Sequence, residues 1–329
     1  MIKSIALFSG GIDSVLAIKL IKEQNIEVLG LNIVTPFSYK RDKDFVAKIE
    51  RIAKNLGVKI KTLFLKDDFF KILISPKYGY GSNLNPCIDC KILFFTKAKE
   101  LMIKTNSSFI VSGEVLGQRP MSQNKQALRI IEKETGLQGL ILRPLSAKLL
   151  PETIAEKSKW VAGDRLLDLS GKNRIKQINL AKKLGIEEYF WPAGGCLLTD
   201  KCFSQRVKDL IRHQTLTLND AELLKLGRHF RVSTQAKLIV ARKEEENKML
   251  LDLIKNGDYL FQPLEIKGPL ALGRGNFNNE IINISCKILA YYCHKEKKVK
   301  IGYNLLPENN QKVIETNCLD NNKLKELRI

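Results

Sequence analysis

The run Ser9-Gly10-Gly11-Ile12-Asp13-Ser14 places two glycines, two hydroxyls and one carboxylate within six positions. Adjacent glycines let the backbone turn tightly and approach a ligand without a Cβ in the way. The amides of such a turn, followed at once by a helix N-terminus, face outward together and make an anion site. Ser9 and Ser14 add hydroxyl donors, and Asp13 suits a Mg²⁺ ion held on phosphates. Neither Gly-x-x-x-x-Gly-Lys-Ser/Thr nor Gly-x-Gly-x-x-Gly occurs in the chain, so this is a phosphate loop of a different kind. A second set of residues carries sulfur. Cys87 and Cys90 form a Cys-x-x-Cys pair, and Cys196 follows the glycines of Trp191-Pro192-Ala193-Gly194-Gly195. Two thiolates at that spacing at a helix start can bind one metal centre, and a third on a glycine turn can fold back toward them. Spacing alone leaves three chemistries open. One is a metal–sulfur centre. Another is a closed zinc site completed by Cys202. The third is a persulfide on Cys196 that one of the pair resolves as a disulfide. Cys286, Cys293 and Cys318 show no ligand spacing and read as core or surface thiols. His213, His229 and His294 form no ligand pattern, and His229 in Gly227-Arg228-His229-Phe230-Arg231 reads as RNA-facing or structural.

Both sets need a scaffold, and the first half of the chain supplies one. The apolar run Ile2 to Phe8 predicts a strand leading into the glycine turn, and Ser14 to Gln24 a helix after it. Strands are expected over Glu27 to Val34, Val58 to Leu65, Ser107 to Ser112 and Leu140 to Leu142. Helices are expected over Lys43 to Leu56, Asp67 to Ile74, Lys91 to Lys104, Pro151 to Trp160 and Lys172 to Leu184. This alternation predicts an α/β, doubly wound parallel sheet, whose ligands sit beyond the carboxyl ends of the strands. The loop after the fourth strand, Ser112-Gly113-Glu114-Val115-Leu116-Gly117-Gln118-Arg119-Pro120-Met121-Ser122-Gln123, falls at that same edge. Gly113 permits close backbone approach there, while Glu114 and Gln118 offer polar contacts. From about Asp200 a basic helical stretch leads to Arg228, followed by strand-like runs at Ala236 to Ala241 and Leu260 to Ile266. Two domains are expected, 1–204 and 205–329.

With 55 Lys and Arg against 35 Asp and Glu, the net charge of +20 points to a polyanionic partner, of which nucleic acid is the commonest for a soluble enzyme. The basic excess is spread over both halves, although a Lys-, Asn- and Ile-rich chain is also what an AT-rich genome yields. No apolar run approaches the ~18 residues of a membrane span. The N-terminus enters the first strand at once, so a cytoplasmic protein without a signal peptide is expected.

The Ser-Gly-Gly-x-Asp-Ser pattern resembles the pyrophosphate loop of the N-type ATP pyrophosphatases, known as PP-loop enzymes, which adenylate a substrate and release pyrophosphate. The Gly113–Gln123 loop, followed by Leu128-Arg129-Ile130-Ile131-Glu132 and Leu142-Arg143-Pro144-Leu145, is similar to the catalytic domain of the tRNA 4-thiouridine synthases, with three motifs in the family order over roughly residues 1–200. The resemblance implies a PP-loop adenine nucleotide alpha hydrolase-like fold and ATP bound by Ser9, Gly10, Gly11, Asp13, Ser14, Gly113, Glu114 and Gln118. Ser122 would join the last of these in lining the nucleotide and target-base pocket. It also implies catalysis by Asp13, Cys87, Cys90 and Cys196, on a tRNA uridine adenylated before sulfur replaces its oxygen. Three cysteines on a [4Fe-4S] cluster leave one iron open, the arrangement that cluster-dependent tRNA thiolation enzymes resemble. The sulfur donor would be sulfide or a cysteine desulfurase.

The second half resembles an NFACT RNA-binding domain at Lys237-Leu238-Ile239-Val240-Ala241-Arg242-Lys243-Glu244-Glu245-Glu246-Asn247, departing at Ala241 where that pattern has glycine. The expectation is a smaller basic α/β domain that grips tRNA phosphates through Arg228, Arg231, Arg242 and Lys243, with Arg119 of the first domain assisting. The alternatives are another adenylating PP-loop enzyme, of the amidotransferase or lysidine-ligase type, and an RNA-binding protein with a vestigial ATP site. Oligomeric state stays open, with a homodimer considered.

Overall fold

The computed structural model describes residues 2–38, 43–190, 195–213, 215–293, 298–308 and 310–329. His294 and the Trp191-Pro192-Ala193-Gly194 part of the second glycine turn lie outside the described residues. Contacts divide the chain into two compact units, Met1–Thr199 and Asp200–Ile329.

The first unit alternates as its apolar pattern demands. Its order is β1 (Lys3–Leu7), α1 (Ile12–Lys22), β2 (Glu27–Val34), α2 (Lys43–Asn55), β3 (Lys59–Phe64) and α3 (Asp67–Ile74). Next come α4 (Cys87–Lys104), β4 (Phe109–Ser112), α5 (Lys125–Thr135), β5 (Ile141–Leu142), α6 (Ile154–Lys157) and α7 (Ile175–Lys183). The strands pair in parallel in the order β3-β2-β1-β4-β5. Apolar residues cover both faces, as a parallel sheet requires. Ala6 and Val111 pack with Val15, Leu16, Ile49, Ile52 and Ala181 of α1, α2 and α7, whereas Ile5 and Ile110 pack with Phe95 and Ala98 of α4 and Ile131 of α5. This is the doubly wound fold. The chain order reverses at β1, so the loops after β1 and β4 open a crevice at the carboxyl edge. Helix α5 is a gain on the sequence expectation, started by the Asn124 side chain, which accepts from the Ala127 amide at 2.8 Å. The helix expected over Pro151 to Trp160 shrinks to α6. It opens on a capping box from Thr153 and Glu156 and ends where Lys159 turns to positive φ.

The second unit has the order α8 (Lys201–His213), α9 (Leu218–Leu223), β6 (Arg228–Ser233), β7 (Ala236–Val240), α10 (Glu244–Asp252), β8 (Tyr259–Pro263) and β9 (Ala271–Gly275). It ends with α11 (Asn279–Cys293), β10 (Val299–Leu305), β11 (Lys312–Thr316) and α12 (Asn321–Leu327). Its six strands form a separate antiparallel sheet, β11-β10-β8-β9-β7-β6. The smaller domain is therefore helices on an antiparallel sheet, and Arg228, expected to close a helical stretch, begins β6. Among the described residues no helix is long and apolar enough to cross a membrane.

Candidate active site

The turn after β1 is held from two sides. Gly10 has φ +70°, and a Cβ there would meet the Phe190 ring at 2.7 Å and Ile49 at 2.8 Å. The Phe190 amide donates to the Gly10 carbonyl at 2.7 Å. Helix α1 begins at Ile12 with Gly11 as an extended N-cap that offers no side-chain cap, so its first amides are left for a ligand. The two serines differ. Ser14 is buried and its hydroxyl donates to the Gly11 carbonyl at 2.8 Å, so it braces the turn. Ser9 Oγ accepts from the Gly11 amide at 3.3 Å and, with the Ser14 proton on the Gly11 carbonyl, donates to Ser14 Oγ at 3.3 Å. Gly113 allows close approach as expected, but to the turn itself: a Cβ there would lie 2.6 Å from the Asp13 carbonyl and the Ser14 amide. The two loops are thus locked backbone against backbone.

Asp13 is held by a buried relay. Gln177 of α7, 1% exposed, donates from Nε2 to Gln118 Oε1 at 3.1 Å, and Gln118 Nε2 donates to Asp13 Oδ2 at 2.7 Å. Arg174, just before α7, lies with Nε 3.6 Å from the same oxygen. Asp13 Oδ1 is buried without a hydrogen-bond partner. An orphaned carboxylate oxygen beside a phosphate loop fits the Mg²⁺ ion that such a loop carries.

Glu114 makes the second network. It is buried with Oε2 3.1 Å from Arg143 Nε and Oε1 3.1 Å from Lys91 Nζ, and Arg143 Nη1 reaches Glu132 Oε1 at 2.5 Å. Burial alone pushes the Glu114 carboxyl up, but Lys91 and Arg143 outweigh it and hold it below the ordinary carboxylate value.

The cysteines meet through the loop before α4. The Leu84 amide donates to the Leu198 carbonyl at 3.3 Å, and Asn83 Nδ2 to the Thr199 carbonyl at 2.7 Å. From the other side Ser38 bridges Cys196, and the Leu197 amide donates to the Phe37 carbonyl at 3.0 Å. Asp89, buried in the first turn of α4, accepts the Lys77 and Tyr78 amides and ties the same loop to the helix. Asn85 Nδ2 lies 3.1 Å from Cys87 Sγ. Burial and the neighbouring Cys196 push the Cys90 thiol up. Burial raises Cys196 to about 11, against the Leu198 amide, which favours its thiolate. Among the described residues no three His, Cys, Asp or Glu side chains stand at the mutual spacing of a formed metal centre. As a donor set, three thiols in one recess suit iron and sulfur, or a persulfide, better than a closed zinc site, which takes four ligands. Cys202 is exposed on α8 of the second unit.

One cavity of about 800 Å³ is lined by Ser9, Gly11, Asp13 and Ser14, then by Gly113, Glu114, Gln118 and Ser122, then by Cys87, Cys90 and Cys196. Arg119, expected on an RNA-binding face, lines it too, close enough to favour the thiolates of Cys90 and Cys196. Lys91, Arg174 and Gln177 were not singled out in the sequence. Their signal is positional: Lys91 and Gln177 sit near the starts of α4 and α7 and Arg174 is the N-cap residue of α7, which shows only once the sheet order is known.

Of the four residues expected to grip RNA in the second unit, Arg242 and Lys243 are exposed. Arg228 lies 4.5 Å over the Tyr292 ring and donates to the Ala241 carbonyl at 3.1 Å. Arg231 is committed to a two-pronged pair with Asp209, which leaves little of its fork for phosphate. His229 is buried, with Nε2 2.7 Å from the Leu226 carbonyl, and so is structural rather than RNA-facing.

Residues 2–161 match the family described as the tRNA methyl transferase HUP domain, and residues 227–328 that described as the NFACT protein RNA binding domain. The chain is similar to the tRNA-specific 2-thiouridylase MnmA 2 of Clostridium tetani (strain Massachusetts / E88), 30% identical over 121 residues, which are 32% of this chain and 33% of the relative. It is 33% identical over 91 residues, 27% of this chain and 25% of the relative, to the tRNA-specific 2-thiouridylase MnmA of Syntrophomonas wolfei subsp. wolfei. The chain thus spans about a third of the length of the curated relatives it matches. Among solved structures it is similar to a 4-thiouridine synthetase–RNA complex with bound ATP, at TM-score 0.36 and 20% identity over 56% of this chain and 51% of that one. It is also similar to the U34-tRNA thiolase NcsA from Methanococcus maripaludis with its [4Fe-4S] cluster, at TM-score 0.33 and 16% identity over 63% and 64%.

Proposed function

We propose that the chain is an ATP-dependent tRNA sulfurtransferase that thiolates a uridine through an adenylated base. One observation carries this reading: the glycine loop and the three cysteines line the same cavity. An adenylating enzyme that used a free amine would need no thiols there.

ATP lies with its phosphates on the amides of the Ser9–Gly11 turn and the start of α1. The carbonyl oxygen of the base attacks the α-phosphorus, the bond to the bridging oxygen breaks, and pyrophosphate leaves. Arg174 and the loop amides stabilise the charge that develops on it. Mg²⁺ bound at Asp13 Oδ1 would neutralise phosphate charge, and the Gln177–Gln118 relay keeps that oxygen turned to the cavity. Sulfur held near Cys87, Cys90 and Cys196 then attacks the activated carbon, and AMP departs with the oxygen. Those three cysteines would hold a [4Fe-4S] cluster, which would supply iron to bind hydrosulfide. Lys91 and Arg143 keep Glu114 ionised, so that the cavity wall has a fixed charge. Burial of the base protects the adenylate from water. The second unit holds the tRNA phosphates.

The test is nucleoside mass spectrometry of tRNA from a deletion strain carrying wild-type or substituted chains. Loss of one thiouridine on deletion, restored by the wild type and by Cys202→Ser but not by Cys87→Ser, Cys90→Ser or Cys196→Ser, is the expected result. Brown, iron-containing protein purified without oxygen completes it. Full activity in metal-free protein, abolished by Cys196→Ser, turns the sulfur chemistry to a persulfide. Unchanged thiouridines in the deletion strain overturn the proposal.

A further inference from the structure

Four arginines converge at one end of the β6–β7 ribbon in the second unit. Arg228 pairs in register with Val240, and its Nη1 donates to the Ala241 carbonyl, which brings Arg242 alongside. Arg206 of α8 donates from Nη1 to the Leu224 carbonyl at 3.1 Å, four residues before the strand begins, while its Nε is buried without a partner. From the chain's last residues Arg328 bridges Phe230, and the Ile329 amide donates to the His229 carbonyl at 3.0 Å. Arg242 and Arg328 are exposed.

Two other half-buried arginines of the unit are neutralised, Arg231 by Asp209 and Arg274 by Asp220 and Asp258. Among the described residues, Arg206, Arg242 and Arg328 make no ion pair with a carboxylate. The acidic first turn of α10 does not supply one: Glu246 takes the Arg242 backbone amide, and Glu244 pairs with Lys248. Burial first, then Arg242 and Arg328, lower the Arg206 pKa, while Cys202 and Asp200 act the other way without reversing it. A guanidinium does not relieve such repulsion by losing its proton. Like charges held together by backbone contacts around a half-buried guanidinium gain from an anion, and guanidinium forks suit phosphate.

We propose that Arg206, Arg242 and Arg328 form the phosphate-gripping surface through which the second unit holds RNA. This rests on the RNA-binding reading of that unit and moves the grip from Arg231 to Arg206 and Arg328.

The test uses the full chain and an unmodified tRNA transcript, with affinity measured over a salt series. Arg242→Gln with Arg328→Gln should weaken binding about tenfold or more at fixed salt. The slope of log affinity against log salt should become shallower by roughly 1.5, two phosphate contacts at about 0.7 to 0.9 each. Lys298→Gln with Lys312→Gln removes the same charge near the opposite edge of the sheet and should change affinity less than about twofold. The thermal midpoint serves as the fold check, since Arg242 and Arg328 are exposed. Equal losses in the two pairs overturn the patch, as does an unchanged slope in the arginine pair. Loss of binding to polyglutamate but not to RNA assigns the patch to an acidic protein and overturns the proposal too. A wild-type chain that binds no RNA topples the RNA reading itself, an outcome distinct from these.

Discussion

Each unit buries a carboxylate–arginine network, and the two differ in what they leave undone. In the second unit Arg274 spends its whole fork: two bonds to Asp258 at 2.9 and 2.6 Å, one each to Asn219 and Asp220 at 2.7 Å, and one to the Leu253 carbonyl at 3.1 Å. In the first unit Arg143 satisfies Glu114 and Glu132 but leaves Nη2 buried and unpartnered, and the nearby Asp13 leaves Oδ1 in the same state. Both networks bear the desolvation cost of buried charge, which only complete pairing offsets. A network that closes on itself holds a fold together. An orphaned carboxylate oxygen on a cavity-lining residue, as at Asp13, is open to a partner. The second unit keeps orphans of its own, Arg231 Nη1 and Lys237 Nζ beside Asp209, so what sets the first unit apart is that the orphaned Asp13 lines the large cavity.

The strongest way to break this contrast is Asp13→Asn. The substitution keeps the shape and removes the charge on the orphaned oxygen. ATP-dependent pyrophosphate release should fall on the order of 10³-fold, the scale of losing a preorganised electrostatic contact in a reaction site. The thermal midpoint should stay within a degree or two, because Asp13 contributes no side-chain helix cap. Near-wild-type release would show that the orphaned atom marks no ligand.

Next in size is a matched pair, Glu114→Gln and Arg274→Met. Each leaves a buried partner charge uncompensated and should destabilise its own unit by about 3–5 kcal/mol, read by denaturant titration of the full chain. The contrast lies in the second measurement. At temperatures where both variants stay folded, Glu114→Gln should also lower turnover, whereas Arg274→Met should leave it unchanged. The pH dependence has a fixed sign. The folded Glu114 carboxyl is held below its unfolded value, so its stabilisation is present above the unfolded carboxylate pKa and is lost as pH falls through the folded one. Equal kinetic effects of the two substitutions would erase the difference between the networks.

How much of this is legible in sequence follows the same division. The first unit is built from local patterns: an apolar strand, a glycine turn, a helix, repeated. The edges of β2 and α3 fall where the sequence places them, and α4 starts four residues earlier, at Cys87, so that both cysteines of the pair ride on the helix. What no local pattern contains is the convergence of Lys91, Arg143 and Arg174 on the loops after β1 and β4, because strand order decides it. In the second unit β7 and β8 are visible as apolar runs, whereas β9 (Ala271–Gly275) carries two glycines and is a strand only through its pairing with β7 and β8. Arg231 reads as an exposed cation until α8 brings Asp209 against it. His229 reads equally as RNA-facing or structural until the sheet closes over it and makes it structural.

That histidine gives the smallest effect and the finest test. His229 is 1% exposed, and with Nε2 donating to the Leu226 carbonyl its Nδ1 is an acceptor that lacks a partner. Burial, then Lys237 and Arg206, hold its pKa well below 6.5, so the folded ring stays neutral. In the unfolded chain the ring takes a proton near pH 6.5, which the folded state refuses. The His229 contribution to the second unit's stability is therefore complete above that value and is lost as pH falls from about 6.5 toward the folded pKa. The slope for one group reaches at most about 1.4 kcal/mol per pH unit. Lys237, lowered to about 8, is protonated in both states below pH 7 and adds nothing to that slope. Glu114 holds the first unit until far lower pH, so the two units should part company between pH 6.5 and 5. Hydrogen exchange followed by mass spectrometry should show the β6–β7 peptides losing protection over that range while β1 and β4 keep theirs. His229→Gln can still donate to Leu226 but cannot titrate, and should flatten the β6–β7 response. If the histidine and glutamine chains open in parallel as pH falls, the buried ring is not what separates the two units.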